Sequence, residues 1–335
     1  MSKIDWLWIP VSTVLIVLGY VVVSLITMPL AGFMRRRGVT GVDVHKPERP
    51  VIPEMGGSAV IVGLVVCSIL LVLLIPEHFW VYLAFTFVII IAAAVGVIDA
   101  FRPWNALLKI ALVAVASIPI ILLGAYYSFP EIPFIGPLRM TILYPFVFAP
   151  LFVTLVSNAT NMFDVLNGSM TGTSAIAAVA LFLASLILGR PEVAIIYALI
   201  AACLCGFYRY NRYPAKVFSG DVGSLGVGAA FAAAAIIGRM EFITIIALLP
   251  AMINGSIILS SVGRLFERRE ISARPTTLLE DGRIAASRGG KAPITLTRLV
   301  VMSSPLREDA VVRHFFALNI FSGILAVATA LFMVM

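Results

Sequence analysis

Apolar residues along this chain fall into long blocks, and each block ends at a short polar segment. A block of roughly 20 apolar residues, wound as an α-helix, crosses about 30 Å of hydrocarbon with its backbone N–H and C=O groups paired inside the segment. The pattern predicts helices over 6–30, 56–75, 79–98, 105–125, 141–157, 171–189, 191–207, 222–238, 241–262 and 312–333. The expected fold is an all-α polytopic membrane protein with about ten transmembrane helices. It forms one integral-membrane domain over 1–335, since neither an internal repeat nor a soluble domain interrupts the pattern, and its longest polar loop covers 263–311. The first block follows Asp5 and lacks a small-residue cleavage pattern, so it reads as a retained helix rather than a signal peptide.

Composition narrows the class further. Hydrophobic residues make up 61% of the 335 positions and charged ones 12%, against roughly 25% charged in a soluble domain. An ordinary soluble globule is excluded, and no nucleic-acid partner is expected. Cys67, Cys203 and Cys205 all fall in apolar blocks without C-x-x-C spacing, and read as small packing residues. Charge is distributed unevenly. Loops and flanks after odd-numbered helices carry twenty Lys or Arg, whereas the other side has only Lys3, Arg139, Arg190 and Arg239. By the positive-inside rule the odd loops are cytoplasmic and both termini lie outside, with the cell membrane as the expected location.

The cytoplasmic loops hold more polar groups than connectors need. In 42–57, VDVHKPERPVIPEMGG, Asp43, His45, Lys46 and Glu54 sit among prolines that keep the loop extended. In 94–111, Asp99 closes a nearly uncharged block and Lys109 lies one turn into the next. A carboxylate at membrane depth is costly, and it has a partner or a job. The stretch 158–168, NATNMFDVLNG, places Asn158, Asn161, Asp164 and Asn167 three apart, which aligns four oxygen-bearing side chains on one face if the segment begins a helix. Such oxygens suit a hard cation that completes its shell with water and substrate phosphate. In 208–228, Asp221 follows Ser219 and Gly220 and opens an apolar block, where N-capping is the competing reading. Gly223, Gly226 and Gly228 behind it read as helix-packing glycines rather than a phosphate loop. The long loop contributes an R-x3-RR-x4-RP pattern from Arg264 to Pro275, suited to an anionic group, and an amphipathic or strand-like element over 295–306. Carboxylates, a divalent cation and several Lys or Arg are what phosphoryl transfer requires, and at a bilayer surface one reactant should be a lipid.

In motif order the chain resembles the polyprenyl-phosphate N-acetylhexosamine-1-phosphate transferase superfamily, in particular the branch of the eukaryotic dolichyl-phosphate GlcNAc-1-phosphate transferase and its archaeal relatives. The likeness runs from residue 43 over nearly the whole chain. Asp43 to Pro53 resembles the first D-x-x-K…P segment, and Asp99 with Lys109 resembles an aspartate-rich motif and its following lysine, although Ile98-Asp99 stands where the family usually has Asp-Asp. Asn158, Asn161 and Asn167-Gly168 match N-A-x-N…N-G, and Asp164 matches the aspartate of the bacterial version. Tyr213-Pro214 through Val217-Phe218 and Gly220-Asp221 resemble Y-P…V-F-x-G-D, and Arg268, Arg269, Arg274 and Pro275 stand in an arginine-rich segment. The last loop lacks a histidine cluster, which argues against a muramoyl-pentapeptide substrate.

The resemblance implies a UDP-N-acetylhexosamine and a polyprenyl or dolichyl phosphate as substrates, with UMP released and the sugar left on a lipid diphosphate. It implies Mg²⁺, or Mn²⁺ in its place, on Asn161 and Asp221, and the diphosphate on Lys109. Asn167 and Gly168 would meet the uridine, and Arg268, Arg269 and Arg274 the sugar or its phosphate. Asp43, Lys46 and Asn158 join the substrate-binding set, and Asp99, Lys109 and Asp164 the catalytic one, with a homodimer as a candidate assembly. The rival readings are an undecaprenyl-phosphate transferase using another UDP-sugar and, from a different class, an ion-coupled transporter. Polar groups clustered on one face rather than at the midplane count against the transporter.

Overall fold

A computed structural model describes residues 8–263, 273–289 and 292–335. Helices α1 (Trp8–Arg36) and α2 (Ser58–Leu74) are joined through an antiparallel hairpin, β1 (Thr40–Val42) with β2 (Val51–Pro53). Next come α3 (Phe79–Phe101), α4 (Ala106–Val115), the short α5 (Ile118–Leu122) and a small ladder of β3 (Glu131–Ile132) and β4 (Gly136–Pro137). The bundle continues with α6 (Ala149–Met162), α7 (Ser169–Ile187), α8 (Pro191–Asn211), α9 (Gly220–Ile237), α10 (Glu241–Ala247) and α11 (Leu249–Val262). After a second hairpin, β5 (Thr276–Leu278) with β6 (Ile284–Ala286), it ends with α12 (Leu296–Val300) and α13 (Glu308–Val334).

Among the described residues, seven helices are long and apolar enough to cross a membrane, and α10 with α11, bent by 81°, makes up to eight. Two shorter apolar stretches, Ser58–Leu74 and Ala106–Leu122, occupy two further predicted blocks. The chain is an all-helical polytopic membrane protein. Its predicted helices break where proline removes a backbone donor: ahead of Pro119 between α4 and α5, and ahead of Pro250 between α10 and α11. The predicted 141–157 helix opens with a π-turn at Tyr144–Phe148 and runs on to Met162. The segment 158–168 therefore ends one helix instead of beginning another, which corrects the one-face reading: Asn158 and Asn161 are helical, and Asp164 and Asn167 lie on the turn before α7. The predicted element at 295–306 divides into α12 and a bridge from Leu306 to Ile284.

Packing places α9 at the centre. Of its membrane-length window 89% is buried, against 28% for α1 and for α13, whose Leu25 and Phe321 are exposed at the rim. Helices α2, α3, α6 and α8 surround it. Lipid tails supply no hydrophobic drive between helices, so close van der Waals contact through small residues must do so, and α9 is mostly Gly and Ala. Gly226 abuts Ile61 and Gly228 the backbone of Ser157, as the packing reading expects. Cys67 and Cys203 are buried, whereas Cys205 is exposed. At the far end of the bundle Glu131 pairs with Arg190 at 2.6 Å and Arg239 at 2.8 Å, tying the β3–β4 ladder to the turns after α7 and α9.

One close approach positions the site. A Cβ on Gly96 of α3 would lie 2.6 Å from the backbone of Asp221 and Val222, so only glycine lets α9 start against α3. Gly96→Val should cost about 1–3 kcal/mol, the usual range for overpacking, seen as a lower thermal midpoint of the detergent-solubilised protein. Gly32→Ala, where nothing lies within 4 Å, should leave the midpoint in place.

Candidate active site

Asp221 is fixed by backbone before any side chain acts on it. Phe218 N–H donates to Pro53 O at 2.9 Å, and Gly56 and Gly57 N–H donate back to Phe218 O and Ser219 O at 2.8 and 2.9 Å. The 216–220 segment is thus laid along the end of the first hairpin, and α9 starts from it. Asp221 Oδ1 accepts from Asn161 Nδ2 at 2.9 Å, and the same amide donates to Ser224 Oγ at 2.8 Å, one turn further along α9. Asp221 Oδ2 is bonded to the Lys109 ammonium, which also reaches Asp99 Oδ2 at 3.0 Å. Asn105 caps α4 by accepting from Leu108 N–H at 2.8 Å, which sets Lys109 in its first turns. Asp99 Oδ1 accepts the Trp104 N–H at 2.8 Å, so both oxygens of this buried carboxylate are partnered. Lys109 is buried with a carboxylate on either side, the arrangement that offsets removing an ammonium from water.

A second buried cluster lies across the cavity. Lys46 bonds to Asp43 Oδ2 and to Glu308 Oε2, the latter at 3.3 Å. Asn167 donates its backbone N–H to Glu308 at 2.6 Å and its side-chain amide to Glu308 and to Asp43, the latter at 3.1 Å. Its Oδ1 accepts the Ala215 N–H at 2.7 Å. Gly168, next in the chain, has φ +76, and a Cβ there would meet the Tyr208 ring at 2.9 Å. Both the backbone and the space demand glycine.

Between the clusters is a cavity of about 260 Å³ lined by Asp43, His45, Glu54, Asn161, Asp164, Asn167, Asn211 and Asp221, with Ser219 and Gly220. Four of these are carboxylates, and no Lys or Arg is among the described lining residues. Burial first, and then the charge of Asp221, pushes the Asp164 carboxyl up to about 7, and the same causes raise Glu54 above its ordinary range. Four carboxylates disfavour an anion in this space unless positive charge enters with it. The carboxylates and amides of the lining present oxygen, which suits Mg²⁺ or Mn²⁺, beside one imidazole, His45. Among the described residues no three His, Cys, Asp or Glu side chains form a closed metal cage.

The remaining predicted residues are placed less centrally. Asn158 donates to Thr154 O at 2.8 Å, and it is absent from the cavity lining. Lys46 and Asp99 stand behind the lining, each paired. Arg274 is exposed beside β5. Arg268 and Arg269 lie outside the described residues. Sequence reading missed Glu308, although an acidic residue opening an apolar block is the same signal that singled out Asp221. It also missed Ser224, which has no charge to mark it.

Residues 80–239 match glycosyl transferase family 4. A protein of Methanocaldococcus jannaschii, provisionally named a glycosyltransferase, is 32% identical over 87% of this chain and 88% of its own length. A Sulfolobus acidocaldarius protein, provisionally named UDP-N-acetylglucosamine–dolichyl-phosphate N-acetylglucosaminephosphotransferase, is 30% identical over 71% of this chain and 75% of its own. The phospho-N-acetylmuramoyl-pentapeptide-transferase of Desulforamulus reducens is 40% identical over 31% of each chain. The chain belongs to glycosyl transferase family 4, and with it to the polyprenyl-phosphate N-acetylhexosamine-1-phosphate transferase superfamily that its motifs resemble.

Proposed function

We propose that the protein transfers N-acetylglucosamine 1-phosphate from UDP-N-acetylglucosamine to a polyprenyl or dolichyl phosphate. The observation that carries this reading is the cavity itself, about 260 Å³ with four carboxylates in its lining, which would call for a cation beside any diphosphate that entered. A phosphate oxygen of the lipid attacks the β-phosphorus of the UDP-sugar, the bridging P–O bond breaks, and UMP leaves. The lipid phosphate is already largely ionised at neutral pH, so no strong base is needed. Mg²⁺ on Asp221 and Asn161 would neutralise the charge spread over the diphosphate. Lys109 holds Asp221 in position and adds positive charge behind it, and Asp99 fixes Lys109. Asp164 and Asn167 line the same cavity and are assigned to the substrate.

Sidedness follows the charge count. With α2 and α4–α5 as short spans and α10–α11 as a broken one, the chain crosses ten times, both termini are outside, and the cavity faces the cytoplasm of the cell membrane. By the same charge count the 263–311 loop is cytoplasmic, and the resemblance assigns its Arg268, Arg269 and Arg274 to the sugar phosphate. The substrates in the Sulfolobus relative's name, and the absence of a histidine cluster in this loop, favour N-acetylglucosamine on a dolichyl-type lipid over a muramoyl pentapeptide.

Purified protein in detergent with dolichyl phosphate should release UMP from UDP-N-acetylglucosamine faster than from competing UDP-sugars. Faster release from another UDP-sugar would change the assigned donor. Asp221→Ala and Asn161→Ala should each lower turnover on the order of 100-fold or more, the scale of losing one preorganised charge-stabilising group. Unchanged turnover in either variant contradicts the site. Lys109→Met should match that loss, whereas Asp99→Asn, acting through Lys109, should lower turnover roughly tenfold, as expected for one charge-assisted hydrogen bond.

A further inference from the structure

Glu308 opens α13, is 2% exposed, and belongs to none of the sequence motifs. A carboxylate this enclosed needs its charge paired and its lone pairs filled. Lys46 supplies the charge, and Asn167 supplies two N–H donors, one from its backbone and one from its side chain. Lys46 is committed to this task. It sits between Asp43 and Glu308, 4.8 Å from the ring centroid of Tyr213, and does not line the cavity. The sequence expectation of a substrate-contacting lysine at this position gives way to one that neutralises two carboxylates.

Asn167 is the group that gains. Its amide has two N–H donors, one to Asp43 and one to Glu308, while its oxygen accepts from Ala215. Three anchors from three distant segments fix both the position and the plane of an amide. Glu308 provides two of the bonds that hold this residue, and Asn167 lines the cavity beside Asp43 and His45. The reacting phosphates, by contrast, are assigned to the Lys109 and Asp221 side.

From this geometry we infer that Glu308 is a positioning residue for nucleotide binding: through Asn167 and Lys46 it clamps the 43–46 loop to the 164–168 turn, both of which contribute to the cavity lining. The inference rests on the cavity taking a UDP-sugar, as proposed above. It predicts a change in affinity for the nucleotide rather than in the chemical step. Glu308 should affect KM for the UDP-sugar, leaving KM for the lipid phosphate and kcat nearly alone.

The test uses the full chain in detergent micelles with Mg²⁺, and reads UDP binding by calorimetry beside steady-state kinetics and thermal midpoint. Glu308→Ala should weaken UDP binding and raise KM for the UDP-sugar about tenfold, the scale of a lost charge-assisted hydrogen bond, with kcat within about twofold. Glu308→Gln keeps an acceptor for the Asn167 N–H and should recover at least half of that loss on a logarithmic scale. A merely structural role would lower the thermal midpoint and leave the folded fraction with unchanged UDP affinity, which overturns the inference. So does a loss confined to kcat, or a Gln variant as weak as Ala. If the wild-type protein neither binds UDP nor turns over a UDP-sugar, the proposed function fails first. Wild-type binding with an unchanged Glu308→Ala variant defeats the Glu308 assignment alone.

Discussion

One buried lysine between two carboxylates organises this molecule. Lys109 draws Asp99, at the end of α3, and Asp221, at the start of α9, onto a single ammonium, so the polar ends of three helices meet at one point. The meeting is possible because Gly96 admits the backbone of α9, and because the 216–220 segment is hydrogen-bonded along the end of the first hairpin. Helix α9 is in turn the most enclosed in the bundle. A carboxylate carried on it cannot drift, and its orientation is inherited by whatever binds there.

The cavity beside this point has an electrostatic requirement that the net charge of the chain conceals. The protein carries a formal charge of +7, yet the described lining has four carboxylates and no Lys or Arg. The two lysines nearest to it, Lys46 and Lys109, are held behind the lining as counter-ions. Repulsion among the carboxylates is the reason Asp164 is pushed up to about 7 after burial has done most of the work. On the proposed reading a divalent cation would reverse that balance and make an acidic pocket a site for a diphosphate.

The helical architecture was legible because apolar blocks of membrane length are hard to mistake, and the breaks at Pro119 and Pro250 follow from chemistry visible in the letters. Asn161, Asp164, Asn167 and Asp221 were also legible, since polar side chains beside apolar blocks stand out. Their arrangement was not. A three-residue spacing indicates a helical face only where a helix continues, and here α6 stops at Met162. The pairing of Lys46 with Glu308 was not legible, because the two are 262 residues apart and a single sequence carries no sign of such a contact. Glu54 sits in an extended loop with no periodicity, so its place in the lining needs the fold.

The central claim is that this pocket accepts a diphosphate only with a divalent cation. Calorimetric titration of UDP into the purified wild-type protein, in Mg²⁺ and again in EDTA, tests it most directly. The account predicts saturable binding in Mg²⁺, and in EDTA an affinity lower by on the order of 100-fold or no binding at all. Equal affinity in the two buffers would contradict it, because the four carboxylates would then be tolerating an uncompensated anion among them.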